Sequence, residues 1–177
     1  MSDEQVFRFR IQYGKEDAVR YTSHLDLQRT WERIFRRASL PLAFTHGYHP
    51  HPRLNLGLAL PLGWTSECEL MDVWLTEQLL ADEVRGRLDE ASPTSLRIHS
   101  IGEIPLNSPK LQKRIQAAVY GVQIQSENVP EDLEARIQAF LNAVTVERER
   151  RGKTYDLRPR VEDISFEVGS SQLLVTV

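Results

Sequence analysis

Four of the five histidines of the chain fall between residues 24 and 51. They are His24, His46, His49 and His51. An imidazole ring can transfer protons near neutral pH, bind a metal ion or stack on a nucleobase. Three of these rings stand in a proline-containing segment, residues 44–53, which we name the His/Pro loop. The loop also holds other residues that can shape it or contact a nucleic acid: Gly47, Tyr48, Pro50, Pro52 and Arg53.

A helix is predicted directly before the His/Pro loop. Ser23 is a favourable N-cap, and Asp26 three residues later completes a capping-box pattern. A helical period then predicts one buried stripe, formed by Leu27, Trp31, Ile34, Phe35 and Ala38. A second face carries four basic residues that we name the arginine stripe: Arg29, Arg33, Arg36 and Arg37. The helix is therefore expected to bury one face and to present guanidinium groups on another.

The arginine stripe has two interpretations. It is either an ordinary solvated helix face or a surface that binds nucleic-acid phosphates. The loop favours the second interpretation, because Tyr48, His49 and His51 can contact bases while Arg53 can hold a phosphate. We expect the stripe and the loop to share one exposed surface. Six residues would shape it, with Ser23, His24 and Asp26 fixing the helix start beneath the loop and Gly47, Pro50 and Pro52 setting the form of the loop.

Two alternatives use the histidines chemically. The loop histidines, with His24 or Asp26, could bind a metal ion, but the His49-Pro50-His51 spacing is not the i, i+4 pair of a helical zinc motif, so no metal site is predicted. A histidine beside arginines could also cleave RNA, with the imidazole moving protons and the cations stabilising the transition state. The chain has no nucleophile elbow and no Gly-rich phosphate loop.

The composition limits the possible classes of protein. The chain has 177 residues, of which 41% are hydrophobic, so one domain or two small ones with a real core are expected. The net charge of −3 means that a nucleic-acid site must be a local basic patch. The single cysteine, Cys68, excludes an internal disulfide framework. Because neither a membrane span of ~20 apolar residues nor a signal peptide is recognisable, a cytoplasmic location is expected.

Hydrophobic periodicity predicts an α+β fold with two halves. The first half has strands at 6–13, 54–60, 66–76 and 96–101 and helices at 23–38 and 77–89. This β-α-β-β-α-β order is the split βαβ, or ferredoxin-like, pattern with an antiparallel sheet. The second half has strands at 113–125, 161–168 and 173–177, a helix at 130–144, and a strand or basic extension at 145–151. We predict tandem ferredoxin-like units, residues 1–104 and 110–177, the second of them incomplete.

A second basic cluster lies in the second half of the chain. Its members are Arg148, Arg150, Arg151, Lys153, Arg158 and Arg160. Glu147, Glu149 and Asp156 are interspersed with them. The favoured interpretation is an exposed hairpin of mixed charge, since most runs of this kind are solvated.

Four segments resemble those of the bacterial radical-SAM-associated domain family. They are Tyr21-Thr22-Ser23-His24-Leu25-Asp26-Leu27 followed by Arg29, then Arg36-Arg37-Ala38 with Leu40-Pro41, then Gly47-Tyr48-His49-Pro50-His51-Pro52, then Leu60-Pro61-Leu62-Gly63 with Ser66, Glu67 and Asp72. Members of that family resemble either an extension of a cobalamin-type radical SAM protein or a separate partner encoded beside one. The resemblance implies a radical SAM partner that carries the iron–sulfur cluster, SAM and cobalamin, with no cofactor in this chain. Some members are encoded near a ribonuclease of the E/G type, which implies a role in RNA metabolism.

Three functional expectations follow. The favoured one is an accessory RNA-binding or substrate-presenting module that works with a radical SAM enzyme in RNA modification or processing and is not catalytic alone. The second is a scaffold that docks this partner through the same surface without RNA. The third is metal-independent RNA processing that uses His24 or His51. Neither a membrane nor DNA is expected as a partner.

Overall fold

Two units make up the chain, Met1–Ile115 and Gln116–Val177. The structure is a computed structural model that describes residues 5–123, 130–167 and 172–177. Both units combine helices with antiparallel sheets, so the predicted α+β class is confirmed.

The first unit follows the predicted β-α-β-β-α-β order. Its elements are β1 (Phe7–Lys15), α1 (His24–Arg37), β2 (Leu54–Leu56), β3 (Ser66–Leu75), α2 (Ala81–Ala91) and β4 (Ile98–Ile104). The strands pair antiparallel in the order β2-β3-β1-β4. This order arises when two split βαβ crossovers interlock, so the unit is ferredoxin-like.

Alternation along β1 decides which face of the sheet is buried. Phe9, Ile11 and Tyr13 are buried on the helix side, and the residues between them point to the other face. The predicted apolar stripe of α1 packs on the buried face, where the ring centroids of Trp31 and Tyr13 lie 4.8 Å apart in an edge-on contact. Val84 brings α2 onto the same core. Both helices therefore cover one face of the sheet.

The chain after β4 crosses the opposite face of the sheet. It forms one helical turn, α3 (Leu111–Arg114), in which Leu111 is fully buried. Gln112 donates to the Leu56 carbonyl at 2.7 Å and to the Asn55 side chain at 2.9 Å. The strand predicted from residue 113 is therefore wrong at its start, because burial of Leu111 and these amide bonds favour a helical turn. Residues 124 and 125 of that prediction lie outside the described residues.

The second unit repeats part of the first. Its elements are β5 (Val119–Gln123), α4 (Leu133–Asn142), β6 (Glu147–Arg150), β7 (Lys153–Asp156), β8 (Asp163–Glu167) and β9 (Gln172–Thr176). The antiparallel order β5-β9-β8 matches the order β1-β3-β2 of the first sheet. Strands β6 and β7 form a separate hairpin between α4 and β8. Residue 168, the end of a predicted strand, lies outside the described residues.

Several element boundaries differ from the predictions. β2 has three residues instead of seven, because only Leu54–Leu56 pairs in register with β3. α2 begins at Ala81 rather than at residue 77, since Leu80 takes an extended N-cap conformation. β4 continues to Ile104, where it still pairs with Arg8 of β1.

Candidate nucleic-acid interface

Ser23 and Asp26 fix the first turn of α1, as predicted. Ser23 Oγ accepts a hydrogen bond from the Asp26 amide at 3.2 Å and donates one to Asp26 Oδ2 at 2.7 Å. The serine hydroxyl, helped by the charges of Arg29 and Arg33, holds the pKa of the Asp26 carboxyl below its usual range. In a capping box the acidic side chain would accept the N-cap amide instead, so the hydroxyl contact is a variant of that motif.

The four members of the arginine stripe have different partners. Arg29 Nη1 lies 3.2 Å from Asp26 Oδ1 in an exposed pair. Arg37 donates to the carbonyl of Ala91, which is the last residue of α2 and would otherwise lack a helical partner. Arg33 and Arg36 are exposed, and their guanidinium groups make no hydrogen bond or ion pair with any residue that the structure describes. These two guanidinium groups are the members of the stripe available to an anion.

The end of α1 directs the chain toward the loop. The amides of Ser39 and Leu40 donate to the carbonyls of Arg36 and Phe35, which are the two hydrogen bonds of a Schellman motif. Ser39 takes the left-handed conformation that this motif needs, with φ at 51°. Arg36 therefore lies in the last turn of the helix, at the end of the sheet where the His/Pro loop begins.

The His/Pro loop is a short hairpin with a fixed base. The Arg53 amide donates to the Ala43 carbonyl at 2.7 Å, and the Thr45 amide donates to the His51 carbonyl at 2.8 Å. The His51 amide returns a bond to the Thr45 hydroxyl at 3.1 Å. Tyr48, at the tip, is fully exposed to solvent. The loop thus holds an aromatic ring away from the protein surface on a backbone with defined hydrogen bonds.

The other tip residues are also exposed. Gly47 has φ at 134°, a backbone conformation that residues with a Cβ rarely adopt. Pro52 is buried at the base, whereas Pro50 is exposed. The imidazoles of His46, His49 and His51 make no hydrogen bond to the described residues.

Across the described ranges, no group of three or more His, Cys, Asp or Glu side chains could hold a metal ion. Within the same ranges, no helix has the length and apolar character needed to cross a membrane.

Arg53 lies on the opposite face of the sheet from the arginine stripe. Its guanidinium carbon is 4.6 Å from the centroid of the Trp74 ring, and the guanidinium of Arg8 stacks on the same ring at 4.9 Å. Trp74 is also buried, but it alternates along β3 with Val73 and Leu75 of the core beneath the helices, so it points to the opposite face. Arg53 therefore does not join the stripe in one surface, contrary to the expectation.

The start of α1 and the His/Pro loop lie at opposite ends of the sheet. Lys15, the last residue of β1, donates from Nζ to the Thr22 carbonyl at 3.4 Å, next to the helix start. The loop base pairs with Trp74 near the end of β3, beside the first residues of β1. The 14 residues of α1 span ~21 Å between these ends. Ser23, His24 and Asp26 thus do not lie beneath the loop, because the βαβ crossover carries the helix along the whole sheet.

A buried lysine that the sequence interpretation missed ties down the start of α1. Lys15 is 1% exposed, and its ammonium donates to the carbonyls of Arg20, Thr22 and Trp64 at 3.1, 3.4 and 3.2 Å. These bonds join the turn before α1 to the turn before β3. Its position could have been predicted, since Lys15 continues the buried alternation of Phe9, Ile11 and Tyr13.

Glu69 accompanies Lys15 in this region. Burial raises the pKa of the Glu69 carboxyl above its ordinary value, against the opposing effects of a hydrogen bond to Ser66 and the charges of Lys15 and His24. Burial lowers the pKa of Lys15, and the charge of Glu69 opposes that shift. Burial and Glu69 together raise the pKa of Tyr13. Burial thus disfavours the charged forms of both Glu69 and Lys15, and the attraction between their opposite charges offsets only part of that effect.

A second missed cluster lies on the sheet face opposite the helices. The fully buried Asp72 contacts Arg8 Nη2 at 2.5 Å and Arg10 Nε at 2.8 Å. The two terminal nitrogens of Arg8 also donate to carbonyls of the crossing chain at Leu106, Ser108 and Pro109. RNA-recognition modules with a four-stranded sheet stack bases on this face. Here the protein's own chain occupies that part of the sheet, so the helix and loop surfaces are the candidates for a nucleic-acid interface on the first unit.

The comparisons with known proteins give a family. A search of curated proteins finds no match. The sequence model of a family described as an uncharacterised protein conserved in bacteria (DUF2344) matches residues 8–177. Because this match includes nearly all of both units, the chain belongs to that bacterial family.

Proposed function

We propose that this protein is an accessory module that binds RNA and presents it to a radical SAM enzyme in the bacterial cytoplasm. The observation that carries the proposal is the His/Pro loop, a hydrogen-bonded hairpin with a fully exposed Tyr48 at its tip. An exposed tyrosine ring adds little to folding stability, whereas an unpaired base can stack on it for about 1–3 kcal/mol. His49 and His51 stand beside this ring in the chain and supply further stacking or hydrogen-bonding groups.

Arg33 and Arg36 supply the phosphate contacts in this proposal. Arg36 lies in the last turn of α1, at the loop end of the sheet, and Arg33 lies one turn earlier. Both are exposed and lack ion-pair partners among the described residues. Guanidinium groups without intramolecular partners can bind phosphate without first breaking a contact. Arg29, Arg37 and Arg53 already have partners, so we assign them supporting roles.

The radical SAM partner enters the proposal through the motifs around Ser23 and Gly47, which resemble those of radical-SAM-associated proteins. In this proposal the partner carries the iron–sulfur cluster, SAM and cobalamin and performs the chemistry. The histidines of the loop stand apart from His24 by the length of α1, which supports a binding role over an active site shared between them.

A docking scaffold is the second candidate function, and one observation favours it. Tyr21, Leu25 and Leu62 are 71%, 65% and 63% exposed around the start of α1. The Tyr21 ring is close to Gly63, since a Cβ added there would meet it at 3.5 Å. Exposed apolar clusters often mark protein–protein contacts. Because the His/Pro loop lies at the other end of the unit, docking of a protein and binding of RNA need not compete.

The proposal is tested by recovering the tagged full chain from its native host at low salt. Associated proteins are identified by mass spectrometry and associated RNA by sequencing, with a ribonuclease-treated sample as the control. We expect both a radical SAM protein and a defined set of RNAs. The variant Arg36→Gln with Tyr48→Ser should lose the RNA and keep the protein, and Tyr21→Ser with Leu25→Ser should do the reverse.

Recovery of a radical SAM protein without RNA would support the scaffold. Recovery of neither, from cells that express both at normal levels, would contradict the proposal.

A further inference from the structure

The β6–β7 hairpin of the second unit, which we name the ribbon, carries its basic and acidic side chains on opposite faces. The cross-strand pairs are Glu147 with Asp156, Arg148 with Tyr155, Glu149 with Thr154, and Arg150 with Lys153. Residues directly opposite each other in an antiparallel pair share a face, and successive residues alternate between faces. One face therefore carries Arg148, Arg150, Lys153 and Tyr155, which we name the basic face. The other carries the three acids and a threonine.

A fourth cation belongs to the basic face. The guanidinium carbon of Arg160, from the turn after β7, lies 5.5 Å from the centroid of the Tyr155 ring. A cation–π contact of this kind fixes the position of the guanidinium without using its N–H groups. Arg160 therefore adds a positioned set of donors beside the ribbon.

The base of the ribbon is held by other residues of the cluster. Asp156 Oδ1 accepts the amides of Val146 and Arg158 at 2.8 and 3.0 Å. Arg158 donates to the carbonyls of Leu141 and Val161 and is half-buried, so its charge is used within the unit. Asp156 and Arg158 thus hold the base of the hairpin. The cations of the basic face are exposed, and of these the Arg148 guanidinium donates to the carbonyl of Glu147 at 3.0 Å.

Repulsion between like charges destabilises the basic face in the isolated protein. Arg150 stands directly opposite Lys153, and like charges in this position destabilise a strand pair. No ion pair joins Arg148, Arg150, Lys153 or Arg160 to a described acidic residue. Arg151 also adopts a left-handed conformation, with φ at 54°, in a turn that favours asparagine or glycine. A bound polyanion would remove the repulsion on the basic face.

We propose that the basic face of the β6–β7 ribbon binds the phosphate backbone of single-stranded RNA. Two strands place cations about 7 Å apart along β6 and about 5 Å apart across the pair, so several successive phosphates are within reach of the long side chains. The choice of RNA as the polyanion rests on the proposed function, whereas the ribbon itself is a separate site on the second unit. Contacts of this kind give affinity and little sequence preference.

The test measures binding of the full chain to a fluorescent oligouridine of about 20 nucleotides by anisotropy, at salt concentrations from about 50 to about 300 mM. The ribbon variant is Arg150→Gln with Lys153→Gln. The matched control is Arg136→Gln, which removes an exposed arginine of the same unit that is paired with Asp132. Exchange of the two cations, Arg150→Lys with Lys153→Arg, keeps the charge and checks for structural damage. Far-UV circular dichroism verifies folding of each variant.

We expect the ribbon variant to bind roughly 50-fold more weakly at about 50 mM salt and its log–log salt slope to shrink by about 1.4, since each phosphate contact on a single strand contributes about 0.7. The exchanged and control variants should bind within about twofold of the wild type.

Comparison with Arg33→Gln plus Arg36→Gln separates the two proposals. Loss of binding in that variant, with the ribbon variant unchanged, would overturn the ribbon site and leave the proposed function standing. Loss in the ribbon variant alone would support the ribbon and overturn the phosphate contacts assigned to Arg33 and Arg36. Absence of RNA binding by the wild type, or equal binding of all variants, would overturn both.

Discussion

His24 and Tyr48 lie at opposite ends of the four-stranded sheet. His24 is the first residue of α1, beside the end of β1, and Tyr48 is in the loop whose base pairs with the end of β3. Their separation follows from the length of a 14-residue helix, ~21 Å. The two residues therefore lie in different regions, and the described residues of this unit do not bring His24 together with the loop.

The first prediction concerns this separation. Tyr48→Ser should lower affinity for single-stranded RNA about tenfold, because it removes one stacking platform. His24→Ala should leave the affinity within about twofold. Anisotropy titrations of both variants against the same oligonucleotide check this. Similar losses in both variants would argue for one shared site.

The second prediction concerns the end of α1. Ser39 has φ at 51° in a Schellman motif, a conformation that glycine adopts at lower energy. Ser39→Gly should raise the free energy of unfolding by about 1 kcal/mol, and Ser39→Ala, which keeps a Cβ, should not. Urea denaturation of the three proteins measures the difference. A destabilised glycine variant would contradict this explanation of the helix end.

The third prediction concerns the buried ion cluster. Asp72→Asn should lower the free energy of unfolding by about 3 kcal/mol or more, because it leaves the buried guanidinium of Arg8 without a counter-charge. Removal of this charge should also loosen the chain that crosses the sheet, because Arg8 donates hydrogen bonds to the carbonyls of Ser108 and Pro109 in that chain. Denaturant unfolding gives the energy, and amide hydrogen exchange around residues 106–112 reports the loosening.

The control for this prediction is an exposed pair. Glu83→Gln on α2 removes a contact of 2.6 Å with Arg87, yet should change stability by less than about 1 kcal/mol, since exposed pairs contribute little. Equal effects of the two substitutions would show that burial does not set the importance of Asp72.

The fourth prediction concerns pH. Burial raises the pKa of Glu69 above its ordinary value of 4.5, so the folded protein binds this proton more tightly than the unfolded chain does. The resulting stabilisation is complete below about pH 4.5 and is lost as the pH rises through the raised pKa. Glu69→Gln lacks this dependence. The Tm of the wild type minus that of the variant should therefore fall as the pH rises above about 4.5, and a difference that rises with pH would contradict the assignment.

The core of the first unit could be predicted because the hydrophobic residues follow a clear strand period in β1 and a clear helical period in α1. Alternation along β1 identified Phe9, Ile11 and Tyr13, and the helical period identified Trp31 and its neighbours in α1. The placement of the crossing chain could not be predicted in this way. Ile115, Ala117 and Val119 alternate as in a strand, and the partners of Arg8 lie about 100 residues along the sequence, which no local pattern reveals.

The candidate site was predictable only in part. The exposed loop and the exposed face of α1 followed from composition and period. That Arg37 would bind Ala91, or that Arg53 would stack on Trp74, depended on tertiary packing. The basic face of the ribbon, in contrast, had a local signal, because the order Glu147-Arg148-Glu149-Arg150 places each sign on its own face of a strand. The mixed composition of the segment concealed that separation.

The most direct test of the central claim is the salt dependence of RNA binding by the wild type and by Arg33→Gln with Arg36→Gln and Tyr48→Ser. Arg136→Gln serves as the control for loss of an exposed arginine. The account predicts a linear fall of log affinity with log salt for the wild type, a slope smaller by about 1.4 in the triple variant, and affinity at least about tenfold lower at about 50 mM salt. A wild type that does not bind single-stranded RNA, or a triple variant with unchanged affinity and slope, would contradict it.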